Sequence, residues 1–446
     1  MKLDVYVSGK RVASLYRERD EYVMRYETND PQDFVSLTMP VQEVPWRWPR
    51  DLHPFFRQNL PEGFLLDILR EEFSRELDGT DMSLLALVGR AGIGRVAVTP
   101  EGVKPGQDVE PLDFKSLMHG QTTSAQFSDL VRRYARAAIS GVVPKFIAPE
   151  ITDDSEPAAS IDGKSTLHAS RYIVKGSGEK MPFLAFNEHY AMKVLARLNV
   201  APVAKTELSE DGRILLVERF DVDEQGRATH GVEDACSLLG LPPQEKYSPT
   251  MERVLRATRD YLPSGARRRQ LEALGWHILT NFVVRNADCH SKNIALYYTK
   301  YDDVAFTPVY DIVTTQAYTG HSDKSPGLSI EGRRTWAPGR TLEKFFKAQL
   351  NITPREYAQM VQQLCESAVE VGRELIELGK NDSAWHGVAK NMVHAWNEGM
   401  SSLRDPRTPK KFMGLTEDIE RAGFADADRP PKAKRLNESQ LLGRRG

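Results

Sequence analysis

Three residues in the second half of the chain carry the strongest chemical signal. Asp288 is followed five positions later by Asn293 in NADCHSKNIALYY, and Asp311 comes next in FTPVYDIV. Phosphoryl transfer asks for a carboxylate that orients or deprotonates the attacking hydroxyl, oxygen ligands for a divalent cation on the nucleotide phosphates, and a positive group that offsets phosphate charge. An Asp and an Asn five apart on one loop can supply the first need and part of the second. A second Asp beyond a short apolar stretch completes an all-oxygen set, which suits hard Mg²⁺. The spacing D-x-x-x-x-N is that of protein-kinase catalytic loops. Asp and Asn are also ordinary turn formers, and Asp caps helices, so spacing alone leaves both readings open.

The elements that would have to position these groups occur upstream, in workable order. RYIVKG at 171–176 alternates like a strand and ends on Lys175 and Gly176. FNEHYAMKVLARLNV at 186–200 is predicted helical, with Glu188 near its start and Tyr190, Val194 and Leu198 on one stripe. RILLVERFD at 213–221 reads as an apolar strand that ends in charge, a candidate hinge between two lobes. A buried Lys–Glu pair that positions nucleotide phosphates needs this arrangement. Strand-end lysines are common and a first-turn Glu is favoured by the helix dipole, so the order of the set carries more weight than either residue. ISGVVPK at 139–145 is a Gly-containing turn that can lie over phosphates through its backbone N–H groups, or be a plain hairpin turn.

The remaining pattern suggests a framework. Residues 1–26 read as a β-hairpin, with a second hairpin between Tyr22–Tyr26 and Val35–Met39. Residues 53–90 look helical and lead through Gly92 and Gly94 into the short strand RVAVTP. SAQFSDLVRRYARAAI is a further helix, and ISGVVPKFIA at 139–148 a strand–turn–strand. Residues 149–165 form an acidic, weakly patterned loop. Helical patterning returns from Glu252 to Asn281 and from Thr341 to Leu403, with polar breaks near Asn351–Pro354 and Asn381–Asp382. The basic tail 426–446 is expected to fray. No internal repeat is present.

With 446 residues, 40% of them hydrophobic and 27% charged, the chain has the makings of two or three packed subdomains of a soluble protein. A formal net charge of −2 argues against a polyelectrolyte binder. The basic cluster Arg404–Lys411 reads as solvated surface. Cys236, Cys289 and Cys365 are far apart and form no CxxC pair, which fits buried free thiols in a reducing cytoplasm. MKLDVYVSGKRVASLY is neither a signal nor a transit peptide, and no run of about 18 apolar residues exists to span a membrane.

Taken in order, VSLTMPV at 35–41, HPFFRQNLPEG at 53–63, LLALVGRAGIGRVAV at 84–98, ISGVVPK, RYIVK, FNEHYAMKVLARLNV, LLVERFD, EDACSLLGLPPQEKY at 233–247, NADCHSKN and FTPVYDI resemble the HipA-like serine/threonine kinases of bacterial toxin–antitoxin modules. The match spans roughly residues 1–400. The resemblance implies an α+β, two-lobed protein-kinase-like fold, with a mixed α/β N-terminal lobe and a mostly helical C-terminal lobe. Its expected parts are an N-terminal α+β subdomain over 1–100, an N-lobe core over 101–222, a helical C-lobe over 223–425 and the tail 426–446.

It further implies ATP and Mg²⁺ as cofactors. Asp288 would be the catalytic base, Asn293 and Asp311 the Mg²⁺ ligands, Lys175 the phosphate contact and Glu188 its orienting partner. Glu218 and Phe220 would lie at the adenine hinge and Asp221 near the ribose. His290 would support the catalytic loop, and Gly141 and Lys145 would belong to the phosphate-facing loop. Family members carry an inhibitory autophosphorylated serine in that loop. One of its usual positions is Ala138 in this chain; the other is filled by Ser140, and Val143 stands where glutamine is frequent. The implied partners are a HipB-like helix-turn-helix antitoxin, operator DNA reached mainly through it, and a protein substrate, with an aminoacyl-tRNA synthetase of the glutamyl type favoured. Two other readings stay open. Asp288, His290 and Asn293 also spell D-x-H-x-x-N, found in phosphoinositide-type kinases, and a non-catalytic scaffold would keep the fold without the reaction.

Overall fold

The computed structural model describes residues 1–62, 77–105, 181–321, 324–336, 339–403 and 414–424, together with parts of 63–76, 114–129 and 165–178. Most of the expected helix over 124–139, the turn holding Ser140, Gly141 and Lys145, most of the loop 149–165, the cluster Arg404–Lys411 and the tail lie outside the described residues.

The chain opens on strands whose alternate residues are apolar, and these build a five-stranded antiparallel sheet. It contains β1 (Lys2–Val7), β2 (Lys10–Glu18), β3 (Glu21–Tyr26), β4 (Trp46–Pro49) and β5 (Val96–Pro100), in the order β4-β3-β2-β1-β5. Leu3, Val5 and Val7 of β1 and Tyr22, Met24 and Tyr26 of β3 turn to one face. There they pack on Phe55 and Phe56 of α1 (Pro54–Arg57) and on Met82 and Leu85 of α2 (Asp81–Val88). The second hairpin expected from the pattern does not form. β3 pairs with β4, while residues 35–39 make a turn closed by a Ser36–Met39 bridge. Pro31 and Pro40 lack ladder donors, and the Leu37 N–H is committed elsewhere, to Glu233.

A four-stranded antiparallel sheet follows, β6 (Ser165–His168), β7 (Tyr172–Gly176), β8 (Thr206–Leu208) and β9 (Ile214–Glu218), in the order β6-β7-β9-β8. The unbroken apolar run of β9 is explained by burial on both faces. Ile214 and Leu216 join Val174, Leu84, Phe127 and, from α3 (Phe114–His119), Met118. Leu215 and Val217 face the opposite way, into the main core with α4 (Leu184–Ala196).

The C-terminal lobe is mostly helical. A small sheet of β10 (Gly231–Asp234), β11 (Ala295–Tyr298) and β12 (Ala305–Phe306) is surrounded by α5 (Ala235–Leu238), α6 (Met251–Arg259), α7 (Arg267–Val283), α8 (Gly339–Phe345), α9 (Pro354–Asn381), α10 (Ser383–Leu403) and α11 (Thr416–Arg421). The helical stretch expected over 252–281 is two helices, because Pro263 cannot continue α6. The break near Asn351–Pro354 is built from Asn351 at φ +56°, a Thr353–Glu356 capping box and Pro354 in the first helical turn. No helix among the described residues is long and apolar enough to cross a membrane.

The N-terminal sheet is fastened to the C-terminal lobe through β10. The Gln58 side chain brackets this strand, donating to Val232 O at 3.0 Å and accepting from Asp234 N–H at 3.1 Å. Glu233 is fully buried and accepts from Ser36 Oγ at 2.8 Å, Leu37 N–H at 3.0 Å and Ser237 Oγ at 3.3 Å. Burial outweighs these donors and pushes its carboxyl up to about 7; burial likewise lifts Asp234 to about 6.

Both carboxyls bind protons more tightly folded than unfolded. Their contribution is therefore full below the unfolded value near 4.5 for Glu and is lost as pH rises through about 7. Glu233→Gln leaves an amide N–H₂ facing donors, so it is expected to cost about 1–3 kcal/mol. Denaturant unfolding of both proteins between pH 5 and 8 should show that deficit shrinking as pH rises; a growing deficit would contradict the assignment.

Candidate active site

Lys175 sits one residue from the end of β7, paired across the sheet with Leu215 of β9. Its Nζ lies 2.5 Å from Glu188 Oε1 and 2.8 Å from Asp311 Oδ1. Side-chain exposures of 13%, 2% and 17% for Lys175, Glu188 and Asp311 place this cation between two carboxylates in a largely dehydrated setting. Removing one partner of such a group strands a buried charge, which makes the three residues mutually dependent.

Helix α4 is held in register by the residue before Glu188. Asn187 is completely buried; its Nδ2 donates to Thr314 O at 3.0 Å and its Oδ1 accepts from Thr314 N–H at 2.7 Å. Thr314 lies three residues after Asp311, so this bracket fixes Glu188 and Asp311 together. The far side of α4 is tied to α9. Lys193 Nζ meets Glu374 Oε1 at 2.6 Å, Arg197 pairs with Glu370, and Ser367 Oγ donates to Val194 O at 2.7 Å.

The loop carrying Asp288 leaves α7 through Arg285, whose φ of +58° turns the chain sharply. Asn286 then folds the turn onto the helix end. It donates from Nδ2 to Asn281 Oδ1 at 2.7 Å and accepts the Asp288 N–H on Oδ1 at 3.0 Å. Asn293 Nδ2 donates to Asp288 O at 3.1 Å, closing the loop across the five-residue spacing. The Thr315 hydroxyl accepts from Ala287 N–H at 2.8 Å and donates to Arg285 O at 3.0 Å, linking the loop to the segment after Asp311. His290 is 6% exposed and packs edge-on against Tyr247, with ring centroids 5.0 Å apart. Asp311 itself has φ +58°, a left-handed conformation uncommon for a non-glycine residue and one that clusters at functional sites.

Asp288 and Asp311 act on a common neighbour. The Cys289 thiol is pushed up to about 12, first by burial and then by these two carboxylates. Burial raises Cys236 to about 11 and Cys365 to about 12, so all three free thiols stay protonated near neutral pH.

The structure thus brings Lys175, Glu188 and Asp311 into one ionic group and Asp288, His290 and Asn293 into one loop, and Thr314 and Thr315 connect the two sets. Glu218 ends β9, half-buried, with Lys205 Nζ 3.2 Å from its carboxylate. Phe220 follows at the lobe junction against Tyr297 and Tyr310, with centroids 6.2 and 5.9 Å away. Asp221, expected near a ribose, is committed within the protein. It is 1% exposed, its carboxylate held by Arg219 at 2.6 Å and by Gly94 N–H at 2.7 Å, so it fastens the N-terminal unit to the hinge.

Spacing alone missed Asn187, Thr315 and Tyr247, whose hydroxyl donates to Asp288 Oδ1. Among the described residues no group of three or more His, Cys, Asp or Glu is arranged to hold a metal unaided. The carboxylate of Asp311 and the side-chain oxygen of Asn293 form a small hard-oxygen set, which fits Mg²⁺ that also takes oxygens from phosphate and water.

Comparison with known proteins bears on the family and the fold. A family model described as the HipA-like C-terminal domain matches residues 137–371, and one described as the HipA N-terminal domain matches residues 3–99. "Putative kinase Y4mE" of Sinorhizobium fredii is 28% identical over 380 residues, covering 77% of this chain and 84% of that protein. "Putative kinase Y4dM" of the same organism is 24% identical over 356 residues, covering 77% and 78%. Among solved structures, HipA of Shewanella oneidensis, in complex with HipB and its operator DNA, superposes with a TM-score of 0.63 at 20% identity, covering 90% of this chain and 96% of that one. The shared fold is the two-lobed, protein-kinase-like fold of the HipA type.

Proposed function

Because the chain belongs to the HipA family, we propose that it is an ATP- and Mg²⁺-dependent serine/threonine protein kinase that serves as the toxin of a HipBA-like module. The observation that carries this reading is the Lys175–Glu188–Asp311 group and the Asp288–Asn293 loop joined through Thr315, which accepts from Ala287 N–H, and Tyr310, whose hydroxyl donates to Lys292 O at 2.8 Å. When bound, Mg²⁺·ATP supplies the transferable phosphoryl group and the cation that offsets its charge.

Each residue has a role in that reaction. Lys175, held by Glu188, turns its ammonium toward the nucleotide phosphates. Asp311 and Asn293 offer oxygens to the metal. Asp288 accepts the proton of the acceptor hydroxyl as the new P–O bond forms and the bond from the γ-phosphorus to the β–γ bridging oxygen breaks, releasing ADP. Phe220 and the backbone around Glu218 line the adenine side. Ser140, Gly141 and Lys145 belong to the phosphate-facing loop in this reading, with Ser140 the inhibitory autophosphorylation site.

Further elements of the proposal come from the family. The partner is a helix-turn-helix antitoxin through which the chain reaches operator DNA; HipA of Shewanella oneidensis forms a complex with HipB and its operator DNA. The acceptor is a cytoplasmic protein, with an aminoacyl-tRNA synthetase of the glutamyl type favoured, whose modification would halt translation and growth.

The test is transfer of radiolabel from ATP into a cell lysate by the purified full chain with Mg²⁺, with phosphopeptide mapping of the products. Labelled protein at Ser or Thr is expected, with Ser140 labelled in the kinase itself. Label confined to lipid or a metabolite would favour the phosphoinositide-like reading of Asp288, His290 and Asn293. Nucleotide binding without any transfer would favour a scaffold.

A further inference from the structure

Tyr247 lies 41 residues before Asp288, yet its phenol donates a hydrogen bond to the Asp288 carboxylate at Oδ1. The loop fixes the backbone of Asp288 on both sides. Its N–H is held by Asn286 and its carbonyl by Asn293. Neither bond is made to the carboxylate. A base must present its oxygen within hydrogen-bond reach of the attacking hydroxyl, about 2.6–3.2 Å, and the torsion about the last bond of an Asp is broad. Tethering one oxygen removes that freedom and aims the other.

The segment that carries the phenol is seated without its help. Ser291, inside the catalytic loop, donates to Lys246 O through its N–H at 3.1 Å and its hydroxyl at 2.8 Å. Arg334 donates to Tyr247 O. Lys246 Nζ lies 3.0 Å from Glu62, which also pairs with Lys292 of the loop. Main chain and neighbouring ions therefore hold residues 246–247 against the loop, and the ring edge packs on His290. The hydroxyl gives Asp288 a directional contact.

We propose that Tyr247 is a positioning residue for phosphoryl transfer, holding the Asp288 carboxylate in the orientation that accepts the substrate proton. This rests on Asp288 being the base. Tyr247 contacts the acceptor side of the site, so its loss should act on turnover and leave nucleotide binding alone. The contribution comes from the hydroxyl, so deleting the ring as well should add little to the loss of rate.

The experiment compares Tyr247→Phe, Tyr247→Ala and Asp288→Asn in the full chain, reading label transfer from Mg²⁺·ATP to lysate protein and the apparent KM for ATP. Tyr247→Phe is expected to lower the maximal rate about 10- to 100-fold with the KM for ATP changed by no more than about twofold. Its melting temperature should match the wild type, and Tyr247→Ala should fall to a similar rate. A wild-type rate in Tyr247→Phe overturns the proposal. So does a raised KM for ATP at unchanged maximal rate, or a large loss in Tyr247→Ala that Tyr247→Phe does not share, which would mark a packing role. Full activity in Asp288→Asn, or no transfer by the wild type, would instead remove the reading of Asp288 on which the role depends. An inactive Asp288→Asn beside a fully active Tyr247→Phe would remove Tyr247 only.

Discussion

Asp288→Asn is expected to lower phosphoryl transfer by about 10²–10⁴-fold, the usual contribution of a positioned general base. The loss should appear in the maximal rate, because the proposed phosphate contact is Lys175, which is held by Glu188 and Asp311. The fold should survive. The loop is shaped by Asn281, Asn286, Asn293 and Thr315 through contacts to backbone and to each other, and an Asn at 288 keeps both the N–H bonded by Asn286 and the carbonyl bonded by Asn293. Binding of a nonhydrolysable ATP analogue and the melting temperature should both stay near wild type. Growth arrest on expression should disappear. Arrest that persists with the Asn variant would mean that toxicity does not depend on phosphoryl transfer.

Gly399→Ala should produce the largest change in stability. Gly399 lies where α10 crosses the last turn of α7, and a Cβ there would sit inside the van der Waals envelope of the Val283 carbonyl oxygen, with Phe282 O 2.8 Å away. Both obstacles are backbone, so no rotamer change relieves them. Separating the helices would open the core around the fully buried Trp396. A loss of about 3 kcal/mol is expected. Gly387 in the same helix is exposed, with open space at its Cβ, so Gly387→Ala should gain about 0.5–1 kcal/mol from helix propensity. Denaturant unfolding of the two variants side by side measures the contrast; equal effects would show that the crossing tolerates separation. Since α7 feeds directly into Arg285 and Asp288, Gly399→Ala should also depress transfer beyond its cost in folded fraction.

The chemistry-bearing residues were legible because local features mark them. Lys175 ends an alternating strand, Glu188 begins an amphipathic helix, and Asp288 and Asn293 share a short polar loop. Each follows from a period or a spacing, and their order supplied the rest. Contacts between distant segments were not legible. Asp221 stands beside a hinge phenylalanine and looks available to a ligand, but Gly94, 127 residues earlier, takes one of its oxygens. The strand expected at Val35–Met39 fails for a similar reason, since its Leu37 N–H is claimed by a glutamate 196 positions away. Tyr247 belongs to the same class. No period in LGLPPQEKY points to Asp288, and the contact exists because Ser291 draws the Lys246 carbonyl onto the loop. Polar residues marked the breaks near Asn351–Pro354 and Asn381–Asp382, with Pro263 overlooked because the flanking apolar pattern continues across it.

The fastening of α4 to α9 has a consequence for control. An enzyme whose Glu-bearing helix belongs to a mobile lobe can idle with its Lys–Glu contact open and be started by a signal that closes it. Here that helix is anchored by Glu374, Glu370 and Ser367 on one side and by Thr314 on the other. Opening the contact by moving the helix would require breaking the buried amide bracket along with the two surface ion pairs. Any control that works by moving this helix would have to loosen a packed joint between α4, α9 and the segment after Asp311.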